Sequence, residues 1–215
     1  MKITGAIFDM DGTLTDSMFI WNDLGSRYLI SCGATPRGNI REQTKKLTVL
    51  ETAEYFRTEY GLVKTDEEIY AGLNELLWPM YRDEAFAKDG VILLLDSLKK
   101  RDVPMVVATA TDRHIVEMVL EKNGLLRYFS EIFTTGEVGA GKEAPLIFER
   151  ALECLGTPKR ETIVFEDTLY AIRTAKKAGF MVAGIYDDSQ ADLQDEIKAE
   201  SDFYIDDYRK DYLQF

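Results

Sequence analysis

Short, largely apolar runs recur along the chain, and from residue 90 onward each is followed by a segment with apolar residues at helical spacing. The first run, residues 3–8, ends abruptly at Asp9; others cover 104–108, 131–134, 162–165, 181–186 and 203–205. Runs this short with little polar alternation are those of strands buried on both faces. Between them, residues 91–100, 112–123, 145–155 and 168–178 read as helices, the last three stopped by Gly124, Gly156 and Gly179. Strand and helix in alternation predict a parallel sheet with right-handed crossovers.

Residues 17–85 interrupt that rhythm. Met18, Trp21, Leu24, Tyr28 and Leu29 share one helical face that ends near Gly33, and 40–60 is a second helical region. Thr65 with Glu68 has capping-box spacing and opens a third helix, which Pro79 is expected to kink or end. Trp21, Tyr28 and Trp78 read as its apolar interior, and Cys32 and Cys154 as small buried residues. No strand is expected there, so the block reads as a helical subdomain inserted after the first strand.

Charge narrows the function. With 26 Lys and Arg against 38 Asp and Glu, the net charge is −12, which leaves no phosphate-neutralising footprint for nucleic acid. One histidine and two cysteines cannot assemble a zinc site of ordinary spacing, nor a disulfide framework, so a reducing cytoplasm is the expected setting. Asp9 comes too early for a signal peptide, and no apolar run nears the roughly 18 residues that span a membrane. A soluble monomer or loose homodimer is expected. The acidic stretch 187–207 reads as a solvated face.

The acids fall where an open α/β sheet binds ligands, beyond the carboxyl ends of strands. Asp9 and Asp11 follow the first run, Thr109 and Ala110 the second, and Glu166 and Asp167 the fourth, while Lys142 precedes a helix after the third. DMDGTLTD is no calcium loop, because Leu14 stands where such a loop needs glycine and Ile20 where it needs glutamate. Each type has a task in phosphoryl transfer. Asp9 and Asp167 suit Mg2+, Asp9 also suits attack on phosphorus, and Asp11 is close enough to move the proton. Thr109 and Lys142 suit the phosphoryl oxygens.

In this order, DMDGT, Thr109, Lys142 and FEDT resemble the haloacid dehalogenase (HAD) superfamily of Mg2+-dependent phosphotransferases, over essentially the whole chain. The chain looks most like the β-phosphoglucomutase-like branch. The resemblance implies a Rossmann-like three-layer α/β core from residues 1–16 and 86–215, with an all-helical cap, 17–85, inserted after the first strand. It implies Asp9 as nucleophile, forming an aspartyl phosphate, and Asp11 as acid and base. Thr109, Ala110 and Lys142 would bind phosphate. Asp9, Asp167 and the Asp11 carbonyl would hold Mg2+, assisted by Glu166. Asp16, Trp21, Lys45 and Lys46 are the substrate candidates in and beside the cap.

Three positions depart from the pattern. Trp21 stands where the mutases carry a histidine, TKKLTVLE lacks the branch's glycine and arginine, and Ala171 replaces a glycine after FEDT. The expected activity is therefore a phosphatase on a small phosphorylated metabolite, such as a sugar phosphate. A phosphomutase or a catalytically silent binder is the alternative.

Overall fold

The computed structural model describes residues 2–44, 47 and 49–210, and it divides into two compact units, Met1–Asp16 with Phe86–Phe215, and Ser17–Ala85. Lys45 and Lys46 lie outside the described residues. Along the chain, β1 (Gly5–Phe8) leads into β2 (Thr15–Asp16). The helices α1 (Met18–Ser31), α2 (Ile40–Thr44), α3 (Val49–Tyr60) and α4 (Asp66–Glu84) follow. Then come β3 (Phe86–Ala87), α5 (Val91–Lys100), β4 (Met105–Thr109), α6 (Arg113–Lys122), β5 (Ile132–Thr134), α7 (Thr135–Val138) and α8 (Leu146–Leu155). The chain closes with β6 (Thr162–Glu166), α9 (Leu169–Lys177), β7 (Met181–Ile185), α10 (Gln194–Glu200) and β8 (Phe203–Ile205).

In the first unit, six parallel strands form one sheet in the order β5-β4-β1-β6-β7-β8. Side chains alternate across it. Ile7, Val106, Val164 and Val182 face a layer built from Ile147, Phe148 and Ala151 of α8, Ile172 and Ala175 of α9, and Ile197 of α10. Phe8 and Phe165, one position along, stack with ring centroids 4.2 Å apart. Because β1 is central and its neighbours β4 and β6 lie on opposite sides, the strand order reverses there, and the carboxyl ends of these three parallel strands share one edge. The short β2 and β3 pair antiparallel, Thr15 with Ala87 and Asp16 with Phe86.

The second unit is helical. Leu24, Tyr28 and Leu29 of α1, Phe56 of α3, and Ile69, Leu73 and Leu77 of α4 are buried, and the Tyr28 and Phe56 rings stack 6.2 Å apart. The capping box is present: Glu68 N donates to Thr65 Oγ1 at 3.2 Å, and Thr65 N to Glu68 Oε2 at 2.8 Å.

Several expectations are corrected. Pro79 does not end α4, which runs on to Glu84. The buried side chains Leu73, Leu77, Met80 and Tyr81 anchor both sides of the proline, and one missing amide donor does not outweigh that packing. The helical region 40–60 holds two helices, α2 and α3. Trp78 is exposed, because Leu77, Met80 and Tyr81 take the inward face. Cys32 is half-buried at the end of α1, and Cys154 is exposed on the outer face of α8, whose inner face is Ile147, Phe148 and Ala151. Within the acidic stretch, Asp187 is buried, because Lys88 Nζ reaches its Oδ2 at 2.7 Å.

Gly184 of β7 leaves no room for a side chain, since an added Cβ would sit 2.5 Å from Ser201 Oγ and 2.8 Å from Ile197 Cγ2. Gly184→Ala is expected to lower stability by about 1–3 kcal/mol through overpacking. The measurement is a lower urea midpoint at unchanged slope; an unchanged midpoint would contradict the packing described.

Candidate active site

The segment after β1 folds back on itself. Gly12 takes φ +81°, a left-handed conformation that a side chain resists. The amides of Thr13, Leu14 and Thr15 then donate to the Met10 carbonyl at 3.2, 2.8 and 3.0 Å. The Thr15 hydroxyl adds a fourth bond at 3.1 Å. From the far end of the chain, buried Tyr208 donates its hydroxyl to Thr13 O at 2.9 Å. This turn keeps both Asp9 and Asp11 buried beside the ends of β4 and β6.

Around Asp9 the charges converge. Lys142, only 4% exposed, donates from Nζ to Asp9 Oδ1 and, at 2.7 Å, to Glu166 Oε2. Glu166 is otherwise fully engaged: its Oε1 accepts from Asp167 N at 3.2 Å, Thr168 N at 3.0 Å and Thr168 Oγ1 at 2.7 Å. Burial works against its charge, but Lys142 and the Thr168 donors outweigh that and hold its carboxyl below the usual range. Burial likewise opposes the Lys142 ammonium, and the two facing carboxylates overcome it and keep it charged. Asp9 goes the other way. Burial pushes its carboxyl up to about 8 against the pull of Lys142, with Glu166 and Asp11 adding repulsion.

Asp167 is the outlier. It is completely buried, and both carboxylate oxygens lack a hydrogen-bond partner among the described residues. Burial, then the charges of Glu166, Asp9 and Asp187, raises it well above the ordinary carboxylate range. A buried carboxylate without donors is costly unless a cation meets it. Asp9, Glu166 and Asp167 each bring a carboxylate oxygen within 4.8 Å of the others. An all-oxygen set fits a hard cation, with Asp9 and Asp167 as the groups left to bind it and Glu166 held by its own donors.

Of the sequence candidates, Asp9, Lys142, Glu166 and Asp167 therefore meet in one buried cluster. Asp11 stands beside it with a different partner, the Thr111 hydroxyl, which donates to Asp11 Oδ2 at 2.6 Å. Thr109 ends β4 fully buried, and its Oγ1 accepts from Thr111 N at 3.1 Å; Ala110 is exposed just after it. Asp16 is exposed in β2, and Trp21 is half-buried in α1 of the second unit. Thr111, Thr168, Tyr208 and the Lys88–Asp187 pair were not singled out as site residues from sequence. Thr111 and Thr168 lie within the TAT and EDT segments, whereas nothing local marks Tyr208 or Lys88.

A family model described as haloacid dehalogenase-like hydrolase matches residues 3–179. The validoxylamine A 7′-phosphate phosphatase of Streptomyces hygroscopicus subsp. limoneus is 27% identical over 185 residues, 84% of each chain. A HAD hydrolase of family IA, variant 3, from Entamoeba histolytica HM-1:IMSS has a similar structure, with TM-score 0.83 and 25% identity, covering 100% of this chain and 96% of that one. A β-phosphoglucomutase from Clostridium difficile shares the fold at TM-score 0.77 and 18% identity, covering 99% and 94%. Among the described residues no helix is long and apolar enough to cross a membrane.

The buried carboxylates set a pH dependence. Asp9 titrates near about 8 in the folded protein and Asp167 is also raised, whereas unfolded aspartates titrate near about 3.9. Between those values the folded state holds protons that the unfolded chain has released, so its stability falls as pH rises. Metal-free protein should therefore melt at progressively lower temperature from about pH 5 to about pH 8, and Asp167→Asn should flatten that slope. A melting temperature constant over this range would contradict the electrostatics of the cluster.

Proposed function

The chain belongs to the haloacid dehalogenase-like hydrolases, acting on phosphoric monoesters, and from that premise we propose that it is a Mg2+-dependent phosphatase of a small phosphorylated metabolite such as a sugar phosphate. The observation that carries this reading is the buried Asp167 carboxylate beside Asp9, which has no hydrogen-bond donor among the described residues. Asp9, Asp167 and the Asp11 carbonyl would hold the ion. When bound, it would offset repulsion between an acidic site and a phosphate dianion, and stabilise charge on the transferring group.

The side chains supply the rest. Asp9 attacks phosphorus through a carboxylate oxygen, and the bond to the leaving oxygen breaks as Asp11 donates that oxygen a proton. Asp11 then takes a proton from the water that hydrolyses the aspartyl phosphate, which returns Asp9 to its carboxylate. Lys142 already lies against Asp9 as a protonated ammonium, and it is therefore placed to hold a phosphoryl oxygen as charge builds there. The Thr109 hydroxyl and the backbone at Ala110, at the end of β4, complete the phosphate contacts. Glu166 keeps Lys142 in place from the other side at 2.7 Å. Trp21, at the position where the branch's mutases carry histidine, favours release of phosphate to water over its return to substrate.

Incubation with a panel of phosphorylated sugars, polyols, nucleotides and short acids, with Mg2+ and with a chelator, tests this. Metal-dependent release of inorganic phosphate from one chemical class is expected. Asp9→Asn should lower turnover at least about 10³-fold while leaving the fold intact, and Asp167→Asn should raise the Mg2+ concentration needed for half activity. Rearranged product without free phosphate would instead establish a mutase.

A further inference from the structure

A threonine just ahead of a helix is usually a cap, and Thr111 precedes α6 by two residues. It is not the cap residue here, because Asp112 holds that position. The Thr111 hydroxyl instead reaches across 100 positions of sequence to Asp11 Oδ2, at 2.6 Å, with both side chains buried. Its own place is set from the sheet, since Thr111 N donates to Oγ1 of Thr109, the last residue of β4, at 3.1 Å. A β-branched side chain anchored this way has little rotameric freedom.

We propose that Thr111 is a positioning residue that holds the Asp11 carboxyl group in the orientation from which it exchanges a proton. This rests on the reading of Asp11 as the general acid. The bond at 2.6 Å tethers Oδ2 to the anchored threonine and so restricts rotation of the group. In the first step the P–O bond to Asp9 forms and the P–O bond to the leaving group breaks. Its electron pair stays on the leaving oxygen, which takes the proton from the Asp11 carboxyl. In the second step water bonds to phosphorus, the Asp9 oxygen departs with its electron pair, and the water proton goes to the Asp11 carboxylate. Thr111 stays bonded to Oδ2 throughout, so Asp11 exchanges a proton without turning its carboxyl group.

The test uses two monoesters of similar size, benzyl phosphate and 4-nitrophenyl phosphate. Nitrophenolate departs without a proton, whereas benzyl alkoxide needs one. The measured quantity is kcat/KM, which reports steps only through departure of the leaving group. Thr111→Val should lower the benzyl-to-nitrophenyl ratio by about tenfold or more, the scale of a misplaced reacting group. Thr111→Ser, which restores the hydroxyl, should recover it. Equal loss on both esters, or a serine variant no better than valine, would overturn the proposal. So would a crystal structure of Thr111→Val in which the Asp11 carboxyl keeps its orientation, whatever the rates. Asp11→Asn separates the two readings: if it leaves the ratio unchanged, Asp11 is not the acid, and that assignment fails rather than the hydrogen bond.

Discussion

One ammonium, that of Lys142, makes the rest of the site possible. Asp9 from the end of β1, and Glu166 and Asp167 from the end of β6, come into a region almost closed to water, where like charges repel strongly. Lys142 answers two of them directly, and the Thr168 donors hold Glu166 as well. Asp167 has neither, and Asp9 is held only in part. The fold thus leaves two carboxyl groups whose ionisation is not fully compensated where a cation fits, while Glu166 keeps Lys142 in place. An acidic protein of net charge −12 needs such a local cation to admit an anionic substrate.

The sheet topology explains why these residues meet. Having β1 in the centre, with β4 and β6 on either side, brings three strand ends to one edge, and helix α8 begins just after Lys142. The first turn would be loose if only glycine shaped it. Met10 O gathers three amides and a hydroxyl, and Tyr208 closes the turn from 195 positions away. On the β7 side, Lys88 bonds both Tyr186 O and Asp187 Oδ2 at 2.7 Å, so the segment after β3 is tied to the end of the sheet. Neutralising Asp187 there also limits the negative field around Asp167.

Much of this was legible from residues alone. The six apolar runs are the six strands of the sheet, with ends displaced by a residue or two, because short buried strands admit no polar alternation. Thr65 and Glu68 announced their helix because a capping box is local chemistry. Trp78 and the cysteines misled for a common reason: each was judged on its own propensity, whereas which side of a helix faces inward is decided by neighbours three and four residues away. Asp187 looked like one more solvated acid because its partner, Lys88, is 99 positions distant.

What the sequence by itself determined is the set of chemical groups and the strand ends that carry them, since buried runs and the acids that stop them are patterns of adjacent residues. Only the tertiary structure decided how these groups differ. It gave Glu166 four donors and Asp167 none among the described residues, lifted the Asp9 carboxyl to about 8, and turned the Thr111 hydroxyl away from its helix to Asp11. Two aspartates of identical chemistry read alike in sequence; burial and hydrogen-bond partners, which come from distant parts of the chain, set their charge.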